Sequence, residues 1–434
     1  MLRKIKENSF YKSTIILLIG GILGKTVGFF IRIIVTRMLG ARGMGLYSML
    51  SPTISLLTVL AVFSYSNAIS KIVSEESSKS KDLFISIIPI SILLNIIFII
   101  IMLLFAPHLS SKLLNEKDLY LPIISIAFTM PFMSISAIIK GYFWGKQNMY
   151  PYMLSNFIEQ IVRLILILLF LNKVKSINII YSICFIILIN IIGEISSQLV
   201  MILFFPKFKI NKNDIKISFN EIKKVMDFCI PSTFSKIIGS IAYFLEPIIL
   251  THILLKVGYT ENYIVYEYGV INAYALSTLL IPQFFTQNMA TSLIPELSKN
   301  YKLNNIELCK KRIKQIVLIS CLIGGLSTVI ITIFPNLFLN LLYNTNEGID
   351  YIRLLSPFTI LFYIESPLNN ALQALGKVKE TFNIVLISSI IRIISIVVFS
   401  LLKIGMYSLV ISIIINMFFS TLLYYKEIKK SLVI

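Results

Sequence analysis

Charge is what this sequence has least of: Asp, Glu, Lys and Arg make up 14% of its 434 residues, where a soluble domain carries about 25%. Acidic residues are the scarcer kind, 21 against 40 Lys and Arg, which leaves a net charge of +19. That excess does not point to nucleic acid, because the basic residues sit in short loops and tails between apolar runs and not on one amphipathic face. Histidine occurs twice, His108 and His252, neither with acidic or cysteine companions, so no metal centre is expected. Of four cysteines, Cys184, Cys229 and Cys321 lie in or beside apolar runs and Cys309 in a lysine-rich loop, which argues against a disulfide framework. A phosphate-cradling GxxxxGK[ST] loop is missing too: the "GKTVG" beginning at Gly24 lies inside an apolar run without the upstream glycine. Neither a cofactor, nor ATP hydrolysis by this chain, nor an enzyme is expected.

What the sequence has is apolar length. Hydrophobic residues reach 56%, and runs of 18 or more recur from end to end, each long enough to cross a hydrocarbon layer of about 30 Å at 1.5 Å per residue. The runs place spans near 13–37, 46–70, 83–106, 119–141, 150–171 and 178–204, then near 228–254, 266–294, 313–339, 349–374, 379–402 and 404–425. The first exceeds the apolar core of a signal peptide and lacks a small-residue cleavage site, so it reads as a retained helix. The expected fold is an all-α membrane protein of about twelve helices in two six-helix lobes around a central cavity. The lobes are residues 1–205 and 226–434, joined by a polar cytoplasmic linker at 206–225. With the amino terminus inside, inner segments hold 26 Lys and Arg and outer segments 9, so the positive-inside rule puts both termini in the cytoplasm of a cell with an energy-conserving inner membrane.

The halves resemble each other. At a constant offset of 221, Tyr47 matches Tyr268, Asn67 matches Asn288, Glu75 matches Glu296 and Ser77 matches Ser298. "FWGKQNMYPY" similarly echoes "QALGKVKETF", each followed by an arginine within a span, Arg163 and Arg392. Six helices per repeat is an even number, so the two copies are expected to share one orientation.

The stretch from Gly20 to Glu76 resembles the opening of the stage V sporulation protein B and polysaccharide-export family of the multidrug/oligosaccharidyl-lipid/polysaccharide exporter superfamily. The likeness rests on the glycine-spaced first helix with its internal basic pair, the "R-x-L-G-A-x-G-x-G-L-Y" turn, the "N-A-I-S-K" end of the second span, and "TSLIPELS" in the eighth. Members of that family commonly have fourteen helices, so a count of twelve leaves the subfamily open. The resemblance implies a flippase or exporter of lipid-linked oligosaccharide or peptidoglycan precursor, with a polyprenyl pyrophosphate carrier as partner, in wall, spore-cortex or capsule synthesis. A drug/cation antiporter of the same superfamily and a non-transporting membrane scaffold stay open as alternatives.

Nine ionisable residues fall within spans away from the charged ends and are candidates for burial: Lys25, Arg32, Glu159, Arg163, Glu194, Lys236, Glu246, Glu365 and Arg392. At about 2.5 to 3.5 kcal/mol each against lipid, they are expected to face one another or a wet cavity. An anionic pyrophosphate would suit Lys25, Arg32, Arg163 and Arg392, with Asn67 and Asn288 as further substrate contacts. Glu246 precedes Pro247 and Glu365 lies two before Pro367, which suggests coupling to a cation or proton, or static kinks. Glu159 and Arg163, one turn apart, can pair structurally or serve function. Gly20, Gly24 and Gly28 share one face, either as a packing seam or beside a ligand. Arg32 continues that face, snorkelling outward or lining the cavity.

Overall fold

The computed structural model describes the backbone of residues 2–75, 80–205, 218–283, 286–287, 289–290, 297–298, 300–301 and 303–432. The side chains of 2–19, 22, 80–81 and 235 fall outside the description. Regular structure among the described residues is helical. The helices are α1 Leu2–Val62, α2 Tyr65–Glu75, α3 Ser80–His108, α4 Tyr120–Gly145, α5 Tyr150–Lys175, α6 Ile179–Leu203, α7 Phe219–Val257 and α8 Glu261–Gly269. They continue with α9 Leu276–Leu279, α10 Ile306–Ile333, α11 Pro335–Tyr343, α12 Ile349–Ala374, α13 Val378–Leu401 and α14 Tyr407–Leu432. Most of the expected linker, residues 206–217, lies outside the described residues.

The chain forms two compact units, one of residues 1–39 with 50–240, the other of residues 40–49 with 241–434. Within the first, α4 is the hub: α2, α3 and α6 pack on it, and α5 packs on α6. At one end Phe84, Tyr142 and Phe205 gather with ring centroids 4.6 to 5.7 Å apart, over buried Tyr65, Ile69 and Cys229. Within the second unit α10 packs on α12, α12 on α14, and α13 on α14. A core of Cys309, Leu368, Leu372, Tyr424 and Ile428 closes its corresponding end. The pairings α3 to α4, α4 to α6 and α5 to α6 thus recur as α10 to α12, α12 to α14 and α13 to α14. The repeat that a few polar matches suggested is present in the helix packing.

Breaks in the helices have local causes. In α1 the first two expected spans run into one another, interrupted at Gly40, whose φ of 67° and ψ of −174° suit glycine and few other residues. The second span, expected to be continuous through residue 70, breaks at Phe63 and Ser64, both at positive φ (44° and 54°), a costly conformation for side-chain-bearing residues. Ser64 is buried there, its Oγ receiving the hydroxyls of Ser232 and Thr233 at 3.1 and 3.2 Å. After α8 the chain passes through a π-helical segment, Val270–Ala275, where span 266–294 had been expected to start as plain α-helix.

Among the described residues, nine helices are long and apolar enough to cross a membrane. The difference from about twelve has three sources. Two expected spans share α1, the eighth lies partly outside the described residues, and α12 carries Asp350, Arg353, Glu365 and two prolines among its 26 residues.

Candidate functional site

Each unit holds a cluster of charge within its helices. In the first, Lys140 of α4, Glu159 and Arg163 of α5, and Glu194 of α6 meet. Arg163 Nη2 lies 2.5 Å from Glu159 Oε1, and Lys140 Nζ lies 3.6 Å from Glu194 Oε2 and 4.0 Å from Glu159 Oε2. The cluster is balanced, two carboxylates for two cations. Gly193 makes room for it: a Cβ there would sit 2.6 Å from Arg163 Nε, so only a hydrogen lets the guanidinium lie across α6.

In the second unit, Arg392 of α13 reaches Glu246 of α7 at two points, Nε to Oε2 at 2.8 Å and Nη2 to Oε1 at 3.0 Å. Buried Tyr268 of α8 neighbours the same carboxylate. Glu365 of α12 lies beside Ser420 of α14 and is within electrostatic reach of Arg392. Here the balance fails: two carboxylates share one arginine.

In both arginine pairs the cation is the open partner. The Arg392 side chain is 26% exposed against 4% for Glu246, and Arg163 20% against 7% for Glu159. The carboxylates are therefore the buried partners, and part of each arginine side chain stays accessible although its Nε is buried. A planar guanidinium held this way can still present N–H donors to a second anion.

The sequence-derived candidates divide accordingly. Arg163 with Glu159, and Arg392 with Glu246 and Glu365, come together within their own units. Lys25 and Arg32 lie exposed on α1, and Lys236 exposed on α7. Asn67 is exposed near the start of α2, its backbone N–H on the Ser64 carbonyl at 3.1 Å. Asn288, with the Glu296 match, lies outside the described residues. The glycines of α1 prove to be a packing seam. A Cβ on Gly20 would collide with Met153 of α5, and ones on Gly24 and Gly28 would come to 3.5 and 3.7 Å of Asn156 and Gln160.

Two members escaped sequence reasoning. Lys140 sits one residue from an expected span end, where a basic residue reads as a loop charge; its signal is the apolar sequence on both sides, "SAIIKGYFW". Tyr268 was noticed only as a repeat match, and nothing in its sequence context announces a carboxylate neighbour.

Comparison with known proteins accords with this architecture. A family described as "polysaccharide biosynthesis protein" matches residues 10–301, and one described as MatE matches residues 271–398. The chain is 31% identical to stage V sporulation protein B of Bacillus subtilis over 85% of this chain and 74% of that one. It is 20% identical to the lipid II flippase MurJ of the same organism, over 89% and 77%. Among solved structures, an inward-facing multidrug resistance MATE transporter superposes with a TM-score of 0.74 at 14% identity, covering 94% of each chain. A superfamily transporter from Pyrococcus furiosus, whose binding pocket is described as reversed in polarity, gives 0.65 at 15%, covering 97% of this chain and 95% of that one. The chain belongs to the polysaccharide biosynthesis protein family, within the multidrug/oligosaccharidyl-lipid/polysaccharide exporter superfamily.

Proposed function

We infer that the chain is a flippase that moves a lipid-linked saccharide across the cytoplasmic membrane by alternating access between a lobe of residues 1–205 and a lobe of residues 226–434, which a cytoplasmic linker at 206–225 joins. The observation that carries this reading is the pairing of a partly exposed arginine, Arg163 or Arg392, with a buried glutamate on corresponding helices of the two repeats. A pyrophosphate is the natural second anion for such a fork. Lys25 and Arg32 would add positive charge, and Asn67 with Asn288 would meet saccharide hydroxyls. The relatives' names, stage V sporulation protein B and lipid II flippase, support a cell-wall or spore-cortex precursor as cargo.

The coupling step follows from the charge count in the second unit. When a phosphate meets the accessible part of Arg392, the attraction of Arg392 for Glu246 weakens, and two carboxylates then compete for less positive charge. Uptake of a proton or monovalent cation at Glu246 or Glu365 offsets part of the added negative charge, so substrate entry and ion entry become linked. Unequal charge also favours a second reading, a drug/cation antiporter, because the MatE match spans Glu365 and Arg392.

One assay separates them. Purified protein is reconstituted in vesicles with a fluorescent undecaprenyl-pyrophosphoryl saccharide, and a membrane-impermeant quencher reports its leaflet. Protein-dependent loss of sidedness, reduced about tenfold or more in Arg392→Lys, is the expected result. Sidedness unchanged by protein, together with ion-driven accumulation of a cationic dye, would replace the flippase reading by the antiporter.

A further inference from the structure

A second feature of the second unit has no part in the charge clusters. A slot of about 840 Å3 opens where α10, α12 and α14 converge. Each helix contributes one stripe at helical spacing: Ile313 and Val317 from α10, Leu361 and Ile364 from α12, Phe418 and Leu422 from α14. Phe418 and Leu422 are about half exposed, so the slot is open along its side as well as at its end. Its floor is the core that contains Ile313, Leu368 and Ile428, which makes it part of a packed unit and not a gap between loosely placed helices.

The slot is apolar along its length and cationic at one end. Lys310 and Lys314 stand one turn apart near the start of α10, and Lys429 lies in the last turn of α14, all three exposed and all lining the slot. Lys310 has Glu307 at 3.4 Å, and the neighbouring Lys430 takes Glu427 at 3.8 Å. Lys314 and Lys429 form no ion pair with a described residue. Three ammonium groups around the mouth of an apolar channel attract an anion that carries a hydrocarbon chain. The volume falls within the roughly 300 to 1,000 Å3 of sites that enclose a bound small molecule.

We propose that this slot binds one acidic glycerophospholipid of the surrounding membrane, its phosphate on Lys310, Lys314 and Lys429 and an acyl chain along Leu361, Ile364 and Phe418. The occupant is a bilayer lipid and not the transported substrate, because the lysines present point charges at a helix end, where a headgroup lies, and no arginine fork that would grip a pyrophosphate. Basic residues on the inner side of membrane helices attract anionic headgroups in this way, and the sequence assigns both the start of α10 and the end of α14 to the inner side. The lipid would hold α10 against α14 on the side where those helices meet the bilayer.

The test uses the full-length protein in detergent, with retained lipid read by native mass spectrometry. Phosphatidylglycerol and phosphatidylcholine with identical acyl chains are offered at equal concentration. Phosphatidylglycerol should be retained preferentially. At about fivefold per lysine, Lys310→Ala, Lys314→Ala and Lys429→Ala together should cut that preference on the order of 100-fold. Leu422→Trp, which fills the slot, should lower retention of both lipids and leave their ratio unchanged. Both variants alter exposed residues, so an unchanged melting temperature is expected and is measured alongside. Equal retention of the two lipids by the parent chain would overturn the proposal, as would full preference in the triple-lysine variant. Displacement of phosphatidylglycerol by equimolar undecaprenyl phosphate would assign the slot to the carrier lipid instead, and would overturn it as well.

Discussion

Removing Glu246 deprives Arg392 of its direct partner and leaves it only the electrostatic reach of Glu365, and removing Arg392 leaves two carboxylates without their cation. Breaking a fully buried pair costs about 3 to 5 kcal/mol; with Arg392 a quarter exposed, Glu246→Leu should cost about 2 kcal/mol. Adding Arg392→Met to it should recover part of that loss, because neither charge of the pair then remains, although Glu365 loses the arginine it shared. Thermal unfolding in detergent checks this, and a double variant no more stable than Glu246→Leu alone would mean that the two residues do not interact. The same double variant should be inactive in the sidedness assay, which separates the stability of the pair from its use. In the first unit, Gly193→Ala should push Arg163 off Glu159 at a cost of about 1 to 3 kcal/mol. How much of this was legible follows from sequence separation. Glu159 and Arg163 are one helical turn apart and could be paired on sight. Glu246 and Arg392 stand 146 positions apart, and only the fold decides which of several buried acids finds which base. Lys140 was missed for another reason: a basic residue near a span end looks like a topology signal until packing shows it turned inward.

At the scale of the helix, the motif "GARGMGLY" gains a physical account. Gly40 supplies the positive φ that interrupts α1, and Gly45 lies so close to α8 that an added Cβ would be 1.9 Å from the Val265 carbonyl oxygen. Gly269 makes the reciprocal approach, with a Cβ position 2.0 Å from the Ala41 carbonyl oxygen. Both obstacles are backbone atoms, which cannot swing aside as a side-chain tip can. Gly45→Ala and Gly269→Ala should therefore each strongly reduce accumulation of folded protein. Gly21→Ala and Gly239→Ala, where a Cβ meets nothing within 4 Å, should change stability by less than about 1 kcal/mol. Fluorescence-detected size-exclusion of tagged variants ranks the four, and equal profiles would sink the close-contact account. Sequence reasoning had recognised this motif as a family marker without knowing what it packs against. It gave no warning of the Phe63–Ser64 break, because neither residue type favours positive φ and the hydroxyls that surround Ser64 come from residues 232 and 233.

For the molecule as a whole, orientation is the property most open to direct test. Cys184, Cys229 and Cys309 are buried and Cys321 partly so, which keeps background labelling low. A cysteine placed at Asn220 or Asn304 should react with an impermeant maleimide only in opened cells, and one at Asn346 should react in intact cells. Labelling of all three from outside would refute cytoplasmic termini. The two-fold plan was readable in advance from a handful of polar matches, because repeated units keep the same helix pairings. The division of the chain between units was not readable, since residues 40–49 belong by packing to the unit that the sequence completes last. That assignment carries a consequence for biosynthesis. Gly45 is made 220 positions before Val265, the carbonyl it rests against, and at about 5 to 20 residues per second the interval is roughly 10 to 45 s. Through that interval the ten-residue segment waits on the ribosome, so the second unit cannot finish folding as a late, independent addition and must recruit a piece of chain translated long before it.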